Sequence, residues 1–390
     1  MKTRLRHKVI KVLLNPWFRL YFYVVYRFKA TPFSSQHKGP YLIVGNHAQV
    51  FDPFFMSLSF KEHIYFVASD MIFLHPLFGK LIRFLVQPIP KTKYRSDIET
   101  IRDMKRIVKS GGSIGVFPSG NSAYSGAMLP MDEAIAKLAK LLKIPLLIYR
   151  IEGNYLAHPR WAKTPRKGKV TGYVHDMILP DQLKAMSVEA LHQRIITGLD
   201  VNDFEIMKGL AYKGKNKALF IENSFYMCPV CEAFVSLHSE GDTVTCSQCD
   251  FNAIAQDDGT FTQGEKTFYP IPWFQSQQRI LKTKLKTLKD EDSVFQDTNE
   301  TIFEVIRATK KIRLGTGTLR LTKHSLEIIC EKGHEVFDVR KLSVSVQQKN
   351  KLIIHDTSSR RTFYFHHGAR RNAIKYEHAI KIIKGDESHV

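Results

Sequence analysis

Apolar and polar positions follow three regimes along the chain. Residues 1–30 mix Lys and Arg with Trp17, Phe18, Tyr21, Phe22 and Tyr23. That composition suits a helix lying in a lipid headgroup region, or one packed on its own domain. From residue 40 to 180, short apolar runs alternate with segments of helical spacing. Tyr41-Leu42-Ile43-Val44, Ile64 to Ala68, Ser113 to Phe117 and Pro145 to Ile151 read as strands. Leu74 to Val86, Asp97 to Ser110 and Glu133 to Leu142 read as helices. The second of these places Ile98, Ile101, Met104, Ile107 and Val108 on one face and ends at Gly111-Gly112. Strands separated by helices predict an α/β domain on a mainly parallel sheet with flanking helices. From about residue 300 the period drops to two. Strands are predicted at 318–322, 325–329, 335–339, 351–355 and 361–365, then a helix from Asn372 to Lys384. The expectation there is an antiparallel β-barrel-like domain closed by a helix.

At 390 residues, one ordinary core is too small for the whole chain. The segments divide into an interfacial helix (1–30), an α/β domain (31–210), a small metal-binding unit (222–255), a linker (256–299) and a β domain (300–385). The 58 Lys and Arg against 37 Asp and Glu give a formal charge of +21, a surface that attracts polyanions. No bilayer-spanning segment is expected. Leu13 to Phe28 is the best candidate, and Pro16, Arg19 and Arg27 leave its uncharged part far short of roughly 20 residues. No small-residue cleavage site follows the apolar part, so no secretory leader is expected.

Four of the five cysteines form two knuckles, Cys228-Pro229-Val230-Cys231 and Cys246-Ser247-Gln248-Cys249, with fourteen residues between them. Four thiolates at this spacing suit a closed tetrahedral zinc site, structural in role, in a reducing compartment. Cys330 stands apart and is expected in the core.

Catalytic chemistry centres on Asn46-His47-Ala48-Gln49-Val50-Phe51-Asp52-Pro53, between a strand and a helix start. Two local readings stay open: a loop histidine beside a helix cap, or a carboxylate that orients an imidazole for proton transfer. A second loop, Pro118 to Gly126, is rich in hydroxyls and backbone donors, which suits an oxyanion or phosphate or simply makes a loop.

With Asn46-His47-x4-Asp52 and Phe117-Pro118-Ser119-Gly120 in this order, residues 10–200 resemble the glycerolipid acyltransferases, the family that includes 1-acylglycerol-3-phosphate acyltransferase. Ile89-Pro90-Lys91 stands where that family's second block ends in Arg, and Pro145 to Ile148 with Gly153 resembles its later strand block. The resemblance implies His47 as general base held by Asp52, attacking no substrate itself but activating an acceptor hydroxyl. It implies Asn46, Lys91, Arg95, Phe117, Pro118, Ser119 and Gly120 around the substrate. Lys91 or Arg95 would hold a phosphate, and amides near Gly120 an oxyanion. The implied donor is acyl-CoA or acyl carrier protein, and the implied acceptor a lysophospholipid at the cytoplasmic side of a membrane. Three departures stand out: Ser119 replaces a Glu, Lys91 or Arg95 replaces the Arg, and Gln49 sits where Ser is frequent.

The C-terminal strands and helix resemble a pleckstrin-homology or GRAM-like module. Its basic pairs Lys310-Lys311, Arg360-Arg361 and Arg370-Arg371 suit an anionic membrane surface or a solvated face. The rival reading is a non-catalytic lipid- or nucleic-acid-binding scaffold on a degenerate fold. Retention of Asn46, His47 and Asp52 favours the enzyme, and nucleic acid is not expected among its partners.

Overall fold

The computed structural model describes residues 5–69, 76–91, 98–307, 310–347, 350–366, 368 and 370–385. Two compact units emerge, one of residues 1–159 and 164–214, the other of residues 160–163 and 215–390.

In the first unit the strands are β1 (Phe28–Ala30), β2 (Leu42–Gly45), β3 (Ile64–Ser69), β4 (Ile89–Lys91), β5 (Ser113–Val116), β6 (Leu146–Glu152) and β7 (Val170–Ile178). They form one sheet in the order β1-β7-β6-β2-β5-β3-β4. Each pairing is parallel except β6 with β7. The central strands read as continuous apolar runs because both faces are covered: Leu42, Ile43, Val44, Ile114, Leu146, Leu147 and Ile148 are all inaccessible.

Helices α1 (Leu5–Tyr26), α2 (Asp52–Ser57), α3 (Pro76–Leu85), α4 (Ile98–Lys109), α5 (Ala134–Leu142), α6 (Asn154–Ala157), α7 (Pro180–Ala185), α8 (Val188–Leu199) and α9 (Asp203–Ile206) connect and cover these strands. Along α4, Met104 and Ile107 are buried as expected, whereas Ile98, at the first helical position, is exposed. Gly111 ends the helix with φ of 81°, a left-handed turn that costs glycine no Cβ clash.

α1 buries Phe22 and Tyr26, with the Phe22 ring 4.7 Å from that of Phe55. Its Lys11 Nζ donates to the carbonyls of Ser57 (3.0 Å) and Glu62, and Arg19 donates to the carbonyl of Leu58. Two cations of this basic segment thus satisfy carbonyls at and beyond the end of α2. Burial pulls the Lys11 ammonium down to about 8. The outward side of α1 exposes Leu5, Val12, Leu13, Trp17, Leu20 and Val24. Among the described residues, no helix is long and apolar enough to cross a membrane.

The second unit begins with an antiparallel sheet, β8 (Leu237–Glu240), β9 (Thr243–Cys246), β10 (Asn252–Ala255), β11 (Phe261–Gln263) and β12 (Lys266–Phe268). α10 (Pro270–Thr287) follows. Residues 256–299, expected as a linker, therefore carry strands and a helix that buries Trp273, Phe274, Leu281 and Leu285.

Next come β13 (Phe295–Arg307), β14 (Lys310–Leu321), β15 (Ser325–Cys330), β16 (Gly333–Asp338), β17 (Leu342–Gln347), β18 (Lys351–Asp356), β19 (Thr362–His366) and α11 (Ile374–Ile383). The sheet order is β16-β15-β14-β13-β19-β18-β17, all antiparallel. Edge strands β16 and β17 are not paired with each other among the described residues, so closure of the expected barrel is not seen there. β13 escaped the period-two reading because its ladder shifts register between Asp297 and Glu300. Glu300 is itself buried against Arg371. β17 alternates in the same way, at Leu342, Val344 and Val346, and adds a strand beyond those expected. Cys330 is half-buried rather than in the core.

Candidate active site

The loop from Asn46 to Phe51 leaves the C-terminal end of β2, in the middle of the sheet, where open α/β sheets gather their polar groups. Asn46 fixes its start. Its amide donates to the carbonyl of Ile151 and accepts from the Ile151 amide, both at 2.8 Å, prolonging the β2–β6 pairing by one side chain. Expected at the substrate, Asn46 has its amide engaged by β6 and acts on the loop's position.

Asp52 is the first residue of α2, followed by Pro53 in the first turn. Its side chain does not cap the helix. The carboxylate turns back into the loop, where Oδ2 accepts from the amides of Ala48 (2.7 Å) and Gln49 (3.0 Å) and meets His47 Nδ1 at 2.7 Å. Oδ1 accepts from Asn154 Nδ2 at 2.5 Å. Asp52 is wholly buried while the His47 side chain is 19% exposed. One face of the imidazole lies near the Phe117 ring, centroids 4.8 Å apart. Gly45 makes room for this: a Cβ there would stand 3.0 Å from Phe117 Cε1 and 2.5 Å from Met56 Cε.

His47 opens onto a narrow cleft lined also by Asn46, Ser119, Met128, Met131, Tyr155 and Asp203. The structure thus brings Asn46, His47 and Ser119 to one cleft, with Asp52 and Phe117 supporting the imidazole. Ser119 Oγ donates to the carbonyl of Asn121 (2.9 Å). Gly120, at φ 68°, uses its amide on the carbonyl of Phe117 (3.0 Å), closing a turn. Gly120's own amide is therefore engaged in that turn, and an oxyanion would have to meet neighbouring amides. Pro118 and Gly120 are not among the cleft-lining residues. Lys91 ends β4 at the sheet's edge and is likewise absent from the described cleft lining, while Arg95 lies outside the described residues.

Two cleft or shell residues escaped sequence reasoning. Asn154 lies 102 positions from the carboxylate it serves, and Asp203 accepts from the amides of Gly153 (2.7 Å) and Tyr155 (2.8 Å). Burial drives the Asp203 carboxyl up to about 7, with those amides opposing the shift. Asn202-Asp203 carries a helix-cap signature, the one local signal available.

In the second unit the four knuckle cysteines converge, their sulfurs all within 4.8 Å of one another. Cys228 and Cys249 Sγ are 3.6 Å apart, Cys231 and Cys246 Sγ 3.7 Å. Zn–S bonds of about 2.3 Å in a tetrahedron set sulfurs about 3.8 Å apart, so the donor set fits zinc. The amides of Val230 and Gln248 point at Cys228 and Cys246 Sγ (3.5 and 3.3 Å), as neutralising donors to thiolates. Such a site supplies folding energy and leaves no ligand position open for chemistry.

Residues 29–151 match the Acyltransferase family. The chain is 25% identical over 181 residues to a 1-acyl-sn-glycerol-3-phosphate acyltransferase of Cocos nucifera, covering 45% of this chain and 58% of the relative. It is 24% identical over 116 residues to a chloroplastic 1-acyl-sn-glycerol-3-phosphate acyltransferase of Brassica napus, covering 30% and 33%. The chain thus spans less than two thirds of either relative's length. The crystal structure of the 1-acyl-sn-glycerophosphate acyltransferase from Thermotoga maritima aligns with a TM-score of 0.42 at 20% identity, over 52% of this chain and 80% of that one. Residues 29–151, which carry β2, the His47–Asp52 loop and Phe117, form an acyltransferase-family domain.

Proposed function

We propose that the protein transfers a fatty acyl group from a thioester, acyl-CoA or acyl carrier protein, to a hydroxyl of a lysophospholipid resembling 1-acylglycerol-3-phosphate. The observation that carries this reading is the 2.7 Å contact between His47 Nδ1 and a fully buried Asp52, beside a cleft that His47 itself lines. With Nδ1–H donated to the carboxylate, Nε2 keeps its lone pair for the acceptor hydroxyl. Nε2 takes the hydroxyl proton as the oxygen attacks the thioester carbonyl. The tetrahedral intermediate then expels the thiolate, which recovers that proton from the imidazolium. Asp52, hydrogen-bonded to Nδ1, steadies the imidazolium.

Ser119 supports an acceptor pocket without the family's carboxylate at that position. The four cysteines hold a structural zinc in this reading. The exposed apolar side of α1 rests on an anionic bilayer at the cytoplasmic side. Thioester-dependent acylation of lysophosphatidic acid and a panel of other lysolipids tests the enzyme. Turnover that disappears in His47→Ala supports the proposal, and no turnover on any acceptor overturns it. For attachment, Leu13→Glu with Trp17→Glu is expected to weaken sedimentation with phosphatidylserine-containing vesicles. Unchanged partitioning would remove α1 from the membrane contact.

A further inference from the structure

Behind Asp52 a line of hydrogen bonds runs inward, and its polarity follows from one end. A carboxylate only accepts, so Asn154 must present its NH2 group to Asp52 Oδ1. That turns Asn154 Oδ1 toward Gln49, which must donate through Nε2. Gln49 Oε1 then faces His158 Nδ1 at 3.1 Å, which must carry the proton. The same Nδ1–H lies 3.2 Å from the Tyr26 hydroxyl at the end of α1. Burial raises the Tyr26 phenol far above its ordinary range, so it remains a neutral hydroxyl. Asn154, Gln49 and Tyr26 are all at most 3% exposed. Gln49 is the residue that departs from the serine frequent in the resembled family. A serine would be too short to touch both Asn154 and His158.

We infer that Asn154, Gln49 and His158 form a positioning relay that sets the orientation of Asp52, and through it the tautomer of His47, and that ties the pair to Tyr26 of α1. The inference deepens the acyltransferase reading of His47 and rests on it for its kinetic consequence alone. Fixing one carboxylate oxygen on Asn154 leaves the other to define which imidazole nitrogen is protonated. A second hydrogen-bonded layer of this kind controls geometry without touching substrate.

The test is ¹⁵N histidine NMR on the full chain, alongside thioester kinetics. Wild type is expected to hold His47 in the Nδ1–H tautomer. Asn154→Leu is expected to admit the Nε2–H tautomer and lower kcat by roughly 10²-fold, with KM for the thioester changed less than about twofold. Gln49→Met, one bond further out and of similar size, is expected to shift the tautomer in the same direction and less far. A wild-type tautomer in both variants overturns the relay whatever happens to turnover. A wild type without turnover overturns the acyltransferase reading instead, and the tautomer comparison still decides the relay.

Discussion

His47 in the first unit and His378 in the second are both held through their ring nitrogens, yet charge and access separate them. His47 meets a carboxylate at 2.7 Å and borders a cleft. His378, on α11, meets the Tyr226 hydroxyl at 2.9 Å and Gln278 Nε2 at 3.3 Å, and is 5% exposed. Burial pushes the His378 imidazole down to about 3, with Glu377 opposing the shift. A neutral imidazole among neutral partners is packing material with two polar atoms. A histidine that can change charge needs an anion beside it and a route for the proton. The second unit places its stabilising polar chemistry inside the core and at four sulfurs, whereas the first unit places it at a sheet end.

Removing metal should break the comparison most severely. With a chelator or in Cys228→Ser, the knuckles around β8 and β9 lose a tether worth about 10 kcal/mol or more in small zinc domains. The expected result is lost near-ultraviolet signal and lost zinc by elemental analysis, with the His47 resonances unmoved. A wild-type protein purified without zinc that keeps its fold would refute the site. Next in size, His47→Ala should lower kcat by roughly 10³- to 10⁴-fold with little change in melting temperature, whereas His378→Leu should leave turnover as it was. The stability cost runs the other way. His378→Leu removes the partner of the buried Tyr226 hydroxyl and should cost about 1–3 kcal/mol in denaturant unfolding.

The last effect is one of slope. The folded His378 titrates below its unfolded value, so between about pH 6.5 and about 3 the unfolded chain binds the extra proton. Wild-type stability should therefore fall on acidification through that window by up to roughly 1.4 kcal/mol per pH unit from this group. His378→Leu should show a correspondingly shallower acid limb. Parallel limbs would mean that His378 is not the proton acceptor.

What could be read from the residues divides along the same line. Alternation of apolar runs with helical spacing announced the parallel sheet, because Leu42–Val44, Ile114 and Leu146–Ile148 form apolar runs that are fully buried in it. The spacing from His47 to Asp52 was legible because a short loop closes on itself. Asn154 was not legible: nothing near Tyr155 or Leu156 in the chain announces a partner 102 residues away. The use of the Gly120 amide was not legible either, because a hydrogen bond within a turn is invisible until the backbone is traced. The run Leu281 to Lys289 reads as a basic, helix-like linker because Lys282, Lys284, Lys286 and Lys289 crowd it, while Trp273, Phe274, Leu281 and Leu285 of α10 do the packing. Charge on one face of a helix conceals the other.

The amide of Asn46 has a consequence for the order in which the chain is made. Ile151, its partner, emerges from a ribosome some hundred residues later, and Asn154 follows directly. A nascent chain that has released His47 and Asp52 already holds the whole motif, yet neither the post that anchors the loop nor the second partner of the carboxylate exists. Chain breaks or permutations that separate β2 from β6 would produce the motif without the site. The motif is complete at Asp52; its hydrogen-bonded surroundings are complete only at Asn154.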